Sequence, residues 1–364
     1  MFGDAVLSPS RRHRGSPTNR FLWWRNHPSL AFYPGGVIVK VPDTPSARVI
    51  LHDEIKHLQE LSKDHELVGS LLPLLSGTQL GSRQEGGEDD DDTVLNRSWP
   101  VLVTPVWGCD LEQVFQHQQQ MQRGQSLFDP DAVLRLSREL AATLAHLHQL
   151  ADPVAHLDIK PENILVAVPA QYNGHCQPLD FAAVPPGERC FRLIDFGSAV
   201  YCRSQQQCCV VTPSYAPPEA LRRRQGGFAP MADAWGLGAL LYVLMLEEPL
   251  CFHFDRGGEP ILTWTEHMEN RRRLAVPPGA EKEAETLLGD ELESRLPKLW
   301  EYAESNGVSS FGMALLRGLL CADPVKRMTC AEATELLSSG SGAADEEASK
   351  VVVDDSSTAM LLAA

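Results

Sequence analysis

His156-Leu157-Asp158-Ile159-Lys160-Pro161-Glu162-Asn163 is the stretch that decides the fold of this chain. It places a carboxylate, an amine and a side-chain amide close together at Asp158, Lys160 and Asn163. The apolar residues that follow at once predict a buried strand at 164–168. The segment is therefore a polar loop that leads directly into the core.

Four further segments follow in a fixed order. A second strand, predicted from Phe191 to Ile194, ends in Asp195-Phe196-Gly197. Thr212-Pro213-Ser214-Tyr215-Ala216-Pro217-Pro218-Glu219 comes next, then Asp233-Ala234-Trp235-Gly236-Leu237-Gly238, and Arg327 lies within Asp323-Pro324-Val325-Lys326-Arg327-Met328-Thr329. Each segment alone could be a helix cap, a turn, a surface charge or a core aromatic residue. Their order, spacing and flanking elements agree with one another, which chance does not readily produce.

Together these segments resemble the conserved motifs of eukaryotic protein kinases of the serine/threonine type, over about residues 30–337. The resemblance implies an α+β fold with a small, mainly β lobe and a larger, mainly α lobe. It implies ATP and Mg²⁺ as cofactors, Asp158 as the base at the attacking hydroxyl and Lys160 as the cation that stabilises the transferred phosphate. Asn163 and Asp195 match the metal ligands.

The same resemblance assigns roles outside the catalytic loop. Phe196 would pack under the regulatory helix, and Gly197 would supply backbone freedom. Glu219 would pair with a buried Arg327, since a buried charge needs a partner. Asp233 would brace the backbone of the catalytic loop.

The small lobe is predicted from a strand and a helix. Val37-Ile38-Val39-Lys40-Val41 has the β-branched composition of a strand, and apolar residues at helical spacing predict a helix over 47–61 that carries Glu54. By resemblance Lys40 clasps the α- and β-phosphates and pairs with Glu54. An exposed lysine and a solvated glutamate are the ordinary alternative. Alignment places Val103 at the back of the adenine pocket, Thr104 to Val106 at the hinge, and Asp110 at the ribose.

The sequence departs from the family pattern in two places. No GxGxxG segment precedes Lys40, and Gly35-Gly36 is interpreted as a hairpin turn. Leu157 stands where most kinases carry an arginine that grips a phosphorylated activation loop. Activity is therefore expected to depend little on loop phosphorylation, with Ser204 as the residue to substitute. Thr212 is a poor test site because by resemblance its hydroxyl contacts Asp158 and Lys160.

Composition bounds the domains and partners. Residues 1–20 are predicted to be a flexible leader, 21–337 the kinase domain (small lobe about 21–106 with an acidic insertion at 77–96, large lobe about 107–337), and 338–364 a disordered tail. The net charge of −16 argues against nucleic-acid binding. Nine cysteines without metal-ligand spacing favour a reducing compartment, either cytosol or nucleus. The apolar stretch Gly236 to Leu246 is too short to span a bilayer.

Three functional classes remain open at this point. The first is an active protein serine/threonine kinase whose substrates carry a hydroxyl acceptor. The second is a pseudokinase that binds nucleotide or scaffolds partners, which the missing glycine loop and Leu157 favour. The third is a small-molecule kinase of the aminoglycoside or choline type, and the peptide-docking segment at 212–219 speaks against it. The sequence does not indicate an oligomeric state.

Overall fold

The computed structural model describes most of the predicted domain. The described residues are 8–9, 19–24, 36–81, 98–115, 130–166, 184, 188–203, 212, 215–222, 229–246 and 281–339. They fall into two compact units. Unit 1 contains residues 1–129 and 156–212, and unit 2 contains residues 130–155 and 213–364. Residues 156–212 therefore group with the predicted small lobe, so the lobe boundary expected near residue 106 is not where the units divide.

Unit 1 is built on a five-stranded antiparallel sheet with the strand order β1-β2-β3-β5-β4. Its strands are β1 (Ser8–Pro9), β2 (Asn19–Trp24), β3 (Val37–Pro42), β4 (Ser76–Gly81) and β5 (Ser98–Pro105). Within the predicted flexible leader, Ser8–Pro9 pairs with β2 and residues 19–20 pair with β3, so these residues belong to strands. The rest of the leader lies outside the described residues. Residues 77–81 likewise belong to β4 and not to an acidic loop, whereas 82–97 lie outside the described residues.

Helix α1 (Pro45–Leu61) follows β3 and confirms the helix predicted over 47–61. Thr44 caps it by accepting a hydrogen bond from the Ala47 amide, and Pro45 occupies the first turn, where its missing N–H costs nothing. One face of α1 is buried and contacts β3, β5 and the turn at 196–198. This face carries Glu54 into the interior of unit 1.

A second, three-stranded sheet in unit 1 has the order β6-β8-β9. Two of its strands are β6 (Cys109–Asp110) and β8 (Ile164–Val166). The strand β7 (Val154–Ala155) lies between them in the chain but belongs to unit 2. β9 (Phe191–Leu193) completes the sheet, and β10 (Val200–Tyr201) follows it in the chain. The polar loop at 156–163 leads into β8, and Asp195 lies just beyond β9, so both predicted strands are present.

Unit 2 is a helical assembly around one apolar helix. Its helices are α2 (Pro130–Gln149), α3 (Pro218–Leu221), α4 (Ala229–Leu246), α5 (Glu281–Ser305), α6 (Ser310–Leu319) and α7 (Cys330–Ser339). Helix α4 packs against α2 and α6, and a Cβ on Gly238 would lie 2.8 Å from the side chain of Leu319. Such close packing of helix on helix requires glycine at that position.

Helix α4 is long and apolar enough to cross a membrane, judged by length and composition alone. However, 67% of it is buried inside the protein. This burial is that of a core helix, as the sequence predicted for 236–246. Residues 338 and 339 end α7, and the remainder of the predicted tail lies outside the described residues. The combination of antiparallel sheets in unit 1 and helices in unit 2 confirms the α+β class.

Candidate active site

Lys40 joins three parts of unit 1. Its Nζ donates to Glu54 Oε2 on α1 at 2.7 Å and to Asp195 Oδ1 beyond β9 at 2.9 Å. The side chains of Lys40 and Glu54 are only 6% and 3% exposed, so this pair is buried. The structure thus brings together the two residues that the sequence paired, and adds the predicted metal ligand to them.

Burial and charge shift the pKa values of this cluster in opposite directions. Burial raises the pKa of Glu54 to about 7, although the Lys40 ammonium partly offsets it. Burial alone would also raise the pKa of Asp195, but Lys40, and more weakly Lys160, lower that pKa to about 2. Despite its own desolvation, Lys40 has a raised pKa because Glu54 and Asp195 both face it. Asp195 is therefore an anion throughout the physiological pH range.

Two residues of the predicted site segments adopt the left-handed backbone conformation. Asp195 has φ 64° and ψ 69°, and Leu157 has φ 66°. A residue other than glycine is strained in this region, and such residues cluster at functional sites. Gly197 has no such backbone requirement. A Cβ there would lie 2.9 Å from Ile50 Cγ2, so the glycine allows α1 to approach closely. The prediction that Gly197 supplies backbone freedom is therefore wrong.

Phe196 is fully buried and packs against His156, with the two ring centroids 4.7 Å apart in an edge-on arrangement. Nε2 of His156 lies 3.0 Å from the Ile194 carbonyl oxygen, and the backbone N–H of Phe196 donates to Glu54 on α1. The predicted packing of Phe196 beneath α1 agrees with these contacts. The contacts of His156 with Phe196 and the Ile194 carbonyl oxygen were not predicted, because the sequence around a histidine does not show what its ring will contact.

Asp158 lies at the centre of a second hydrogen-bond network. Its Oδ1 accepts from the Thr212 hydroxyl at 2.6 Å, and its Oδ2 accepts from Lys160 Nζ at 2.6 Å and from Asn163 Nδ2 at 2.9 Å. Lys160 Nζ also contacts Thr212 Oγ1 at 2.9 Å. The carboxylate is thereby fixed in orientation, beside a cation that could stabilise negative charge on a transferred group. The predicted contacts of Thr212 are present.

The oxygen atoms left over in these networks suit a magnesium ion. Asn163 uses its Nδ2 in hydrogen bonds to Asp158, which leaves Oδ1 for another ligand. Oδ2 of Asp195 likewise accepts no hydrogen bond within the described part of the chain. Carboxylate and amide oxygens are ligands that Mg²⁺ accepts, usually with substrate phosphates and water completing its shell. No denser cluster of His, Cys, Asp or Glu occurs among the described residues.

A cavity of about 120 Å³ collects these groups in unit 1. Its lining combines the charged and amide side chains with apolar residues of both sheets and α1: Ile38, Lys40, Glu54, Leu58, Leu72, Leu102, Thr104, Lys160, Glu162, Asn163, Leu165, Leu193, Ile194 and Asp195. A concave, largely apolar site with a few convergent polar groups is the usual form of a ligand pocket.

Only some of the residues that alignment assigned to the adenine site line this cavity. Register pairs Lys40 with Leu102 and Ile38 with Thr104, and all four line the cavity. Val103 lies on the opposite face of β5 and is not in the lining, because neighbouring strand residues point to opposite faces. Thr104 therefore faces the cavity and Val103 does not.

Val106 and Asp110 also lie outside the lining of this cavity. Asp110 is buried and caps the helical turn at 111–115, where its Oδ1 accepts from the Gln113 amide at 2.8 Å. Burial raises the pKa of Asp110 to about 7. A contact between this carboxylate and a ribose stays a prediction.

Unit 2 contains the predicted ion pair. Arg327 Nη1 and Nη2 donate to the two carboxylate oxygens of Glu219 at 2.7 and 2.8 Å, and both residues are buried. Asp233, also in unit 2, contacts His148 of α2, with Oδ2 2.8 Å from Nε2. No sequence pattern indicated this histidine. The role of Asp233 as a brace of the catalytic loop stays a prediction.

The comparisons with known proteins agree with this geometry. A family model described as a protein kinase domain matches residues 93–337, more than half of the 364 residues. The chain belongs to the protein kinase domain family. Members of this family use ATP with a divalent metal and act on proteins.

Three curated relatives show how far the likeness extends. Serine/threonine-protein kinase AFC3 of Arabidopsis thaliana is 28% identical over 247 residues, which are 58% of this chain and 60% of the relative. CBL-interacting protein kinase 22 of Oryza sativa subsp. japonica is 35% identical over 124 residues, or 34% and 24% of the two chains. Serine/threonine-protein kinase MRCK beta of Homo sapiens is 27% identical over 179 residues, or 48% and 9%. The chain thus spans less than two thirds of the length of these relatives.

Proposed function

We propose that this protein is a serine/threonine kinase that transfers the γ-phosphate of ATP to a hydroxyl group of a protein substrate. One observation carries the proposal: Lys40 contacts Glu54 and Asp195 in the same cavity that Asn163 and Lys160 line. These are the groups that phosphoryl transfer needs for binding phosphate, holding a metal and neutralising charge. The serine/threonine names of the relatives support the acceptor class.

Each side chain then has a role in the reaction. Lys40, oriented by Glu54, would hold the phosphates, and Asn163 with Asp195 would hold Mg²⁺, which supplies neutralisation of the phosphate charge. Asp158 would accept the proton of the substrate hydroxyl, in the orientation that Thr212 and Lys160 fix. Lys160 would stabilise the negative charge on the transferred group.

The alternative is a pseudokinase, and one observation favours it. Residues 10–18 connect β1 and β2, and they contain a single glycine, Gly15, where a GxGxxG segment has three. A connection with fewer glycines has fewer backbone conformations with which to approach phosphates. Such a protein would bind nucleotide without transferring phosphate.

Phosphate transfer distinguishes the two proposals. We would measure transfer of radiolabelled phosphate from ATP and Mg²⁺ to a generic basic protein substrate, comparing the wild type with Asp158→Asn. The expected result is loss of at least about 100-fold in rate for the variant, as for removal of a general base. The control is Asp152→Asn, the same substitution at an exposed turn residue.

The outcomes separate clearly. Equal rates for Asp158→Asn and the wild type would refute the assigned base. A wild type that transfers nothing, yet is stabilised against heat by ATP, would establish the pseudokinase. No transfer and no stabilisation would exclude a nucleotide site of either kind.

A further inference from the structure

Three residues connect the two sheets of unit 1, and their amide groups differ in availability. After β5 ends at Pro105, which has no N–H, the amide of Val106 donates to the Gly36 carbonyl oxygen at 3.1 Å. The backbone N–H of Trp107 makes no hydrogen bond within the described part of the chain. It is therefore the first amide after β5 that can serve a ligand.

The side chain of Trp107 is held in place by a cation. The guanidinium carbon of Arg192 lies 4.3 Å from the centroid of the indole ring, and Nη1 of Arg192 donates to the Phe191 carbonyl oxygen at 2.8 Å. Arginine stacked on tryptophan is a favourable cation–π geometry. Because the guanidinium is itself tied to β9, the stack fixes Trp107 relative to the second sheet.

Arg192 shares a face of the three-stranded sheet with one residue of the cavity lining. In the three-stranded sheet Leu165 pairs with Asp110 on one side and with Arg192 on the other. Directly paired residues of antiparallel strands point to the same face. Arg192 therefore stands on the face that carries Leu165, a residue of the cavity lining.

A second cation–π pair in unit 1 shows that such stacking need not concern the cavity. Arg48 of α1 lies 5.5 Å from the ring centroid of Trp99, near the start of β5. That pair joins a helix to a sheet. Neither pair is in the cavity lining, but the Arg192–Trp107 pair acts on the short connection 106–108, which follows Thr104 of the lining in the chain.

We infer that Arg192 is a positioning residue for the nucleotide: its stack on Trp107 holds the 106–108 connection so that the Trp107 N–H can donate to a ring nitrogen of the ATP base. The inference rests on the proposed function, because it assigns the base of ATP to this cavity. It concerns the base alone. The phosphate contacts of Lys40 do not depend on it.

The test compares two ligands that differ in the base. Binding of Mg²⁺-ATP and of Mg²⁺ with inorganic tripolyphosphate, which has no base, is measured by calorimetry for the wild type, Arg192→Met and Arg192→Lys. We expect Arg192→Met to weaken ATP binding about five- to tenfold and to leave tripolyphosphate binding unchanged. Arg192→Lys keeps the cation and should recover part of the loss.

Kinetics and a control complete the design. In phosphate transfer, Arg192→Met should raise the KM for ATP with kcat unchanged, since the lost contact is made equally in the ground and transition states. Arg317→Met, which removes an exposed arginine paired with Glu304 in unit 2, should change neither ligand's affinity. Thermal unfolding without ligand shows whether each variant is folded.

Each outcome decides a separate point. Unchanged ATP affinity in Arg192→Met, or equal weakening of both ligands, would overturn the positioning role. A wild type that binds neither ligand would refute the proposed nucleotide site itself, whatever the variant does. Trp107→Leu should match Arg192→Met, and the double variant should be no weaker than Trp107→Leu alone, because the two residues act through one contact.

Discussion

Replacing Glu219 with alanine should destabilise unit 2 severely, because it leaves a buried guanidinium without its anion. The side chains of Arg327 and Glu219 are 0% and 7% exposed. Arg327 makes two hydrogen bonds to the Glu219 carboxylate and two to the carbonyl oxygens of Met231 and Cys321, and it lies 5.0 Å from the ring centroid of Trp235. Removal of the carboxylate breaks half of these hydrogen bonds and removes the only counter-charge among them.

The expected magnitude follows from the burial of both partners. Deleting one member of a buried ion pair costs about 3–5 kcal/mol of the free energy of unfolding. Because the two carbonyl contacts and the tryptophan stack remain, we expect the lower end, about 3 kcal/mol. That is a large fraction of the 5–15 kcal/mol typical of a folded domain.

Urea unfolding followed by far-ultraviolet circular dichroism measures this change, since unit 2 is mainly helical. The matched control is Glu293→Ala, which breaks the pair between Glu293 of α5 and Arg222, where the glutamate is 51% exposed. An exposed pair of this kind contributes about 0–1 kcal/mol. A loss below 1 kcal/mol for Glu219→Ala, or one equal to that of the control, would refute the reasoning.

A double variant tests the cause of the loss. Glu219→Ala with Arg327→Met removes both charges and should cost less than the sum of the two single variants. Simple additivity would mean that the uncompensated charge is not the source of the instability.

Two further predictions concern unit 1. The pKa of Glu54 is raised to about 7 from an ordinary value of 4.5, so its stabilising contribution is fully present below pH 4.5 and is lost as pH rises through 7. Urea midpoints at several pH values should fall over this range in the wild type and fall less in Glu54→Gln, and equal slopes would contradict the assignment. With Leu157 buried where a loop-binding arginine would stand, Ser204→Ala, at a position outside the described residues, should keep phosphate-transfer rates within about twofold of the wild type. A large fall in rate would show that loop phosphorylation is required.

The sequence predicted best where chemistry restricts the choice of residue. The resemblance paired Lys40 with Glu54 on the predicted helix, and the structure shows the two side chains buried and in contact, since a buried lysine needs an anion. The pairing of Glu219 with Arg327 rested on the same need for a counter-charge. Neither prediction required knowledge of which strands pair.

The sequence predicted worst where a position depends on strand register. The parity of β5 decides whether Val103 or Thr104 faces the cavity, and that parity is set by pairing with β3, which brings Leu102 opposite Lys40. When both faces of a strand are buried or half-buried, its apolar residues do not show which side chains point to which face. The strands at Ser8–Pro9 and Asn19–Trp24 were missed because of their surrounding composition. Serine, proline and arginine weaken the local signal, although the aromatic run Phe21-Leu22-Trp23-Trp24 favours a strand.

The positions of strain show how the two networks of the site support each other. Left-handed backbone at Leu157 and Asp195 costs on the order of 1–3 kcal/mol each, and it persists only where neighbouring contacts fix it. Asp195 is fixed by the bond from Lys40, and the ring of His156, the residue before Leu157, packs on Phe196, the residue after Asp195. The strained peptides therefore lie side by side, joined by the contact of His156 with the Ile194 carbonyl oxygen. Loosening either network removes part of the support for the other, so Asp158, the proposed base, and Asp195, the proposed metal ligand, are positioned by one connected set of contacts.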